Sequence, residues 1–207
     1  MSSHAPDDTR GSDYTARLAR LEGAWWKRVL NVQAPYRWNL RRLDLGSVLD
    51  VGCGLGRNLI NLGGNGVGVD HNAASIDVCR KRGLVAYTPE EFLASPDAVI
   101  GRFDSLLLAH VAEHLDEPTG VALVRQYLPY VRPNGKLVVI CPQERGYAAD
   151  ASHVRFLDLA DMTRMCETVG TRVERTASFP FPRPLGRVFV YNEFVVTARV
   201  AADGSQR

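Results

Sequence analysis

The run Val48-Leu49-Asp50-Val51-Gly52-Cys53-Gly54-Leu55-Gly56-Arg57-Asn58 decides the fold. Val48 to Val51 is a short apolar strand carrying one acid, and Arg57 to Leu62 has helical character, so three glycines occupy a tight strand-to-helix turn. In open α/β sheets ligands bind at this position, and glycine lets the backbone approach them without an intervening Cβ. The dinucleotide fingerprint G-x-G-x-x-G needs glycine at its sixth position, where Arg57 stands, which argues against a nicotinamide or flavin oxidoreductase. Fourteen residues beyond Gly56, Asp70 closes a second strand, Gly66 to Asp70, where its carboxylate can accept both hydroxyls of a ribose.

Outward from this core the chain alternates strand and helix. Ala73 to Arg82 reads as a helix, Leu84 to Tyr87 as a third strand, Glu90 to Ala94 as a short helix and Phe103 to Ala109 as a fourth strand. Thr119 to Val131 is a helix and Lys136 to Cys141 a fifth strand. Continuous apolar strands separated by crossover helices predict a parallel sheet covered on both faces. A helix from Leu157 to Val169 follows, then strands at about Arg172 to Ala177 and Val188 to Val200. Pro180, Pro182 and Pro184 between them cannot continue either ladder, so these strands are expected to form an antiparallel hairpin. The predicted fold class is α/β, a doubly wound, mostly parallel seven-stranded sheet with that hairpin at its C-terminal end. Toward the N-terminus, apolar residues from Tyr14 to Leu30 recur at helical spacing, and Tyr36, Arg37 and Trp38 follow. Residues 1–12 read as a disordered leader and 13–207 as one domain, whose segment 13–45 forms a helical lid.

Composition bounds the function. With 207 residues, 45% of them hydrophobic and 23% charged, the chain suits a single globular domain. A net charge of +2 is too small for a phosphate-backbone footprint, so no nucleic-acid partner is expected. No stretch approaches the roughly 20 apolar residues of a membrane span, and the polar start lacks the apolar segment of a signal peptide. Cys53, Cys79, Cys141 and Cys166 form no C-x-x-C pair, which fits reduced thiols in a cytoplasmic protein.

The segments VLDVGCGLGRN, GVGVDHN, FDSLLLAHVAEHL and LPYVRPNGKLVVICP together resemble the class I S-adenosylmethionine-dependent methyltransferases, from about Val48 to Cys141 and less specifically to the end of the chain. The resemblance implies a Rossmann-like methyltransferase fold and S-adenosylmethionine as methyl donor. By the same resemblance Gly52, Cys53, Gly54 and Gly56 would line the methionine part, Asp50 would order its ammonium end and Arg57 would pair with its carboxylate. Asp70 would hold the ribose, His71 would flank the adenine, and His110 and Val111 would pass beside the sulfonium. One position departs from the pattern: many members carry Asp where Thr88 stands, so Glu90 or a backbone carbonyl is expected to take the adenine amino group.

His110-Val111-Ala112-Glu113-His114 also matches the H-x-x-E-H of inverted zinc peptidases. Those enzymes hold it inside a helix, whereas here His110 lies at the carboxyl end of a buried strand, so no peptidase zinc is expected; no metal ligands are assigned, and a divalent ion sharing the work of the base is possible but not indicated. Asp150 to Phe156 forms the loop after the fifth strand, and His153 within it is the first choice for a general base because imidazole takes a proton near neutrality. His114 and Glu113 are expected to shape the acceptor pocket. The bland alternatives are that His153 caps the following helix and that His114 packs under the sheet against a carbonyl. The polar mixture of histidines and acids favours a hydroxyl-bearing small molecule or sugar as methyl acceptor. A non-catalytic cofactor-binding regulator and a methyltransferase acting on an amine or carboxylate are the alternatives.

Overall fold

The computed structural model describes residues 34–202. The expected leader and the helix at Tyr14 to Leu30 lie outside the described residues. Among those described, the elements run α1 (Ala34–Arg42), β1 (Val48–Val51), α2 (Arg57–Asn61), β2 (Gly66–Val69), α3 (Ala73–Lys81), β3 (Ala86–Tyr87) and α4 (Pro89–Ala94). They continue with β4 (Phe103–Ala109), α5 (Glu117–Tyr127), β5 (Val131–Pro142), α6 (Glu144–Tyr147), α7 (Leu159–Thr168), β6 (Arg172–Phe179) and β7 (Glu193–Arg199). Short 3₁₀ turns occupy Ala112–His114, Leu128–Tyr130 and Arg183–Arg187.

One seven-stranded sheet has the order β3-β2-β1-β4-β5-β7-β6. The first five neighbours pair in parallel, and β7 runs antiparallel to both β5 and β6. The inner strands are largely apolar because both of their faces are covered, whereas the edge strand β6 carries exposed Arg172, Glu174 and Arg175. In β4, Leu106 and Leu108 face a core with Phe92, Tyr127, Met162 and Phe194, while Leu107 and Ala109 face the opposite core with Leu40, Val138 and Val195. The period of two along a strand thus serves two hydrophobic layers at once. The C-terminal hairpin is present, with β7 between β5 and β6.

Several boundaries differ from the sequence reading. The third strand shrinks to Ala86–Tyr87, since it pairs only with β2 at the sheet edge. The fifth begins at Val131, five residues early, and absorbs Pro133-Asn134-Gly135 through a register shift against β4 between Phe103 and Ser105. The helix expected at Thr119 to Val131 runs Glu117–Tyr127, capped by Asp116, whose carboxylate accepts from Thr119 N at 2.9 Å. The last strand begins at Glu193, because Arg183–Arg187 form a 3₁₀ turn and Asn192 is buried in a polar network. No helix among the described residues is long and apolar enough to cross a membrane, and all four cysteines are free and buried.

Candidate active site at the carboxyl edge of the sheet

The loops after β1, β2, β4 and β5 meet at one edge. Gly52, Gly54 and Gly56 all have positive φ, at 75°, 52° and 77°. Their roles differ. A Cβ on Gly52 would collide with the Val111 side chain and one on Gly56 with Leu84, so these two glycines permit packing. A Cβ on Gly54 would meet nothing within 4 Å, which marks the face of the turn open to a ligand.

Asp50, in β1 just ahead of this turn, is fully buried. Its Oδ1 accepts from Asn58 Nδ2 at 3.4 Å, and its Oδ2 has no hydrogen-bond partner. Burial pushes its carboxyl up to about 7. A buried acceptor left open in this way fits a cationic donor such as an ammonium group. Asp70, immediately beyond β2, accepts from Gly54 N at 2.8 Å through Oδ2 and from Asn72 N at 2.9 Å through Oδ1. The carboxylate braces the glycine turn, and each oxygen retains a lone pair for a further donor. The orphaned Asp50 oxygen, the open face at Gly54 and the Asp70 carboxylate together fit S-adenosylmethionine. His71 is exposed next to Asp70. Thr88 serves as N-cap of α4: its hydroxyl accepts from Glu91 N at 3.3 Å, and the Glu91 carboxylate accepts from Thr88 N at 2.9 Å. Glu90 is exposed in the first turn of that helix.

After β4, His110 adopts φ 60°, an uncommon value for a residue with a side chain. Two carboxylates hold it there. Its Nε2 lies 2.7 Å from Glu193 Oε1 and its Nδ1 3.3 Å from Glu113 Oε1. Burial alone would lower the imidazole pKa, but Glu193 and Glu113 outweigh it and raise it to about 10, which favours the imidazolium form of His110. Burial likewise favours the neutral Glu113 carboxyl, and His110 overrules it and keeps it ionised. Tyr36, Arg57, Asn58, His110 and Glu193 line a small cleft between α1 and the strand ends. Tyr36 donates its hydroxyl to the Tyr191 carbonyl at 2.6 Å, and burial, then Glu193, pushes its phenol pKa up. Sequence reasoning missed Glu193. Its one signal was an acid leading the otherwise apolar run Phe194 to Val196.

The loop after β5 brings His153 to His114, with ring centroids 4.8 Å apart. Val154 N and Arg155 N both donate to the Glu113 carbonyl, at 2.8 and 3.1 Å, fastening this loop to the turn after β4. His114 Nδ1 lies 3.1 Å from the Ser152 carbonyl, and His153 Nδ1 lies 2.7 Å from the Tyr147 carbonyl. Tyr147 stacks on the His153 ring at 5.2 Å. The following helix is capped by Asp158, so His153 does not serve as its cap.

Comparison with known proteins follows the same lines. Residues 24–176 match the sequence profile of a family described as "Methyltransferase domain". No curated protein matches the chain in sequence. Among solved structures, a SAM-dependent methyltransferase from Archaeoglobus fulgidus is similar at 19% identity and a TM-score of 0.63, covering 79% of this chain and 92% of that one. Magnesium protoporphyrin IX methyltransferase from Synechocystis PCC 6803, with bound SAH, is similar at 13% identity and a TM-score of 0.66, covering 94% and 97%. A putative methyltransferase from Bacillus halodurans C-125 is similar at 17% identity and a TM-score of 0.61, covering 80% and 98%. At these identities the likeness is one of fold.

Proposed function

The chain belongs to the methyltransferase-domain family matched over residues 24–176, and on that premise we propose that it methylates a hydroxyl oxygen of a small molecule or sugar, with S-adenosylmethionine as donor. The donor supplies a methyl group already activated by its sulfonium, so the protein's work is chiefly alignment of the acceptor and removal of its proton. Asp50 and Asp70 would hold the ammonium and ribose ends, and Arg57, exposed at the cleft, would pair with the carboxylate. Gly52, Cys53, Gly54, Gly56 and Val111 would form the wall of the donor site, and His71, Thr88 and Glu90 its adenine end. Helix α1, with Tyr36 and Trp38, would close over the site as the described part of the lid.

The observation that carries the hydroxyl reading is the imidazole pair. A backbone carbonyl facing Nδ1 fixes the proton on that nitrogen in both His153 and His114, leaving Nε2 as a lone-pair acceptor. A hydroxyl needs such an acceptor during attack, whereas an amine or carboxylate needs less help. His153 takes the proton, and His114 and Glu113 position the acceptor beside it. Screening hydroxyl-, amine- and carboxylate-bearing metabolites with methyl-labelled donor tests this. Label should appear on an oxygen of a hydroxyl-bearing compound, and His153→Ala should lower kcat by about 10² to 10⁴ with S-adenosylhomocysteine affinity retained. Label confined to amines or carboxylates would overturn the hydroxyl assignment, and full kcat in His153→Ala would overturn the base.

A further inference from the structure

We propose that Glu113, His114 and His153 form a binding site for one divalent transition-metal ion of the zinc and cobalt class. One candidate ligand atom on each of these side chains lies within 4.8 Å of those on the other two. Bonds of about 2.0 to 2.2 Å place tetrahedral ligands roughly 3.3 Å apart, so small side-chain rotations close the set on an ion. His114 and His153 stand on loops separated by the whole of α5 and β5, and the two amides donated to the Glu113 carbonyl hold them together.

Two independent features point to a cation. Glu113 is 0% exposed, and neither of its carboxylate oxygens has a hydrogen-bond partner; the His110 contact at 3.3 Å is its ion pair. His110 answers Oε1 alone, and the buried Oε2 keeps open lone pairs, which is expensive unless a second positive charge takes them. Each histidine, moreover, directs Nδ1 at a backbone carbonyl, of Ser152 or of Tyr147. That outer contact is the one metal-binding imidazoles use to fix the tautomer and present Nε2.

The donor set, two imidazoles and one carboxylate, selects zinc, cobalt, nickel or ferrous iron over magnesium and calcium, which prefer oxygen. It also differs from the peptidase pattern that the sequence imitates. His110, the first residue of H-x-x-E-H, turns to Glu193 at 2.7 Å, and His153 from the next loop takes the third place. Three protein ligands leave a coordination position open. That an acceptor hydroxyl occupies it rests on the oxygen-methylation reading; the binding of the ion does not. With the ion bound, His153 is a ligand, and the hydroxyl is acidified by coordination; without it, His153 is the base.

Cobalt(II) reports ligation by its visible absorption, with no turnover required. The full chain, stripped with chelator and held with S-adenosylhomocysteine, should take up one equivalent with micromolar or tighter affinity. His114→Ala, His153→Gln and Glu113→Gln should each weaken it at least about tenfold while S-adenosylhomocysteine still binds, which shows that the fold persists. Absence of a ligand-field band up to millimolar cobalt, or unchanged uptake in the folded variants, overturns the site. Uptake without oxygen methylation in the acceptor screen would sink the hydroxyl reading alone, and oxygen methylation without uptake the metal site alone.

Discussion

At the scale of single residues, the role proposed for Asp50 at the donor's ammonium would couple donor binding to pH. Burial raises its carboxyl from the ordinary value of 3.8 to about 7, with Asn58 partly opposing the shift. The sign follows from linkage. A raised folded-state pKa means that the folded protein keeps a proton the unfolded chain has lost, so the stability this proton confers is full below about 4 and disappears as pH rises through about 7. A ligand ammonium beside Oδ2 favours the ionised form and must expel that proton below the pKa. S-adenosylhomocysteine affinity should therefore rise up to about tenfold per pH unit below about 7 and level off above it. Calorimetry at about pH 6 and about pH 8, in buffers of different ionisation enthalpy, checks this. Equal affinities and no proton release would remove Asp50 from the ammonium site. In Asp50→Asn the affinity should be lower, and this pH dependence should vanish.

At the scale of elements, the connection between β6 and β7 is fixed by a buried polar network. Asn192, 0% exposed, donates to Gln143 Oε1 at 3.1 Å, Ser178 Oγ at 3.0 Å and the Phe181 carbonyl at 3.1 Å, and accepts from Phe181 N at 2.9 Å. Gln143 in turn donates to Ser178 Oγ at 2.7 Å and to the Glu193 carbonyl at 2.9 Å. Removing the central amide leaves the buried Gln143 Oε1 unpaired and frees the Phe181 amide, while Ser178 Oγ keeps Gln143 and the Phe181 carbonyl keeps Ser178. At about 1 to 3 kcal/mol for the buried group, Asn192→Ala should lose roughly 2 kcal/mol in denaturant unfolding. A loss below about 1 kcal/mol would mean that water replaces the amide. The next residue is Glu193, and its place beside His110 follows from the pairing of Pro142 with Glu193 across β5 and β7. Such a partnership, 83 residues apart in sequence, was not legible there. The doubly buried strands, the glycine turn and the hairpin were legible, because each depends on local pattern and on the rule that a buried sheet needs two apolar faces. The start of β5 was not, since Pro133-Asn134-Gly135 has turn chemistry and becomes strand only through a shifted pairing with β4. Thr88 shows the converse: the local sequence Thr-Pro-Glu-Glu spells a helix cap, and capping commits the Thr88 hydroxyl to the Glu91 amide.

At the scale of the whole molecule, the proposed donor site draws on segments that only the assembled sheet brings together. Asp50 lies in β1, Asp70 just beyond β2 and Val111 just beyond β4, and these strands are neighbours in the order β2-β1-β4. Helix α1 extends the assembly: Tyr36 bonds the Tyr191 carbonyl at 2.6 Å, and Trp38 stacks on Phe179 at 6.2 Å, joining the N-terminal side to the hairpin. The unfolded chain has no such site, so a ligand binds the native state alone and stabilises it by mass action. At a hundred times its dissociation constant, S-adenosylhomocysteine should add about 2.7 kcal/mol. For a chain of this length each kcal/mol moves the melting temperature by about 2 to 4 °C, which predicts a rise of roughly 5 to 11 °C. NAD, whose fingerprint Arg57 interrupts, should give none at equal concentration. Asp70→Ala removes charge-assisted acceptors worth about 1.5 to 3 kcal/mol each and frees the Gly54 amide that the carboxylate now holds. Its affinity should fall at least about tenfold, and its melting rise at the same ligand concentration should shrink by about 1.4 kcal/mol in equivalent stability. Differential scanning calorimetry reads both quantities on one folded variant. An undiminished shift in Asp70→Ala would detach the ribose from β2, and a shift with NAD as large as that with S-adenosylhomocysteine would return the glycine turn to dinucleotides.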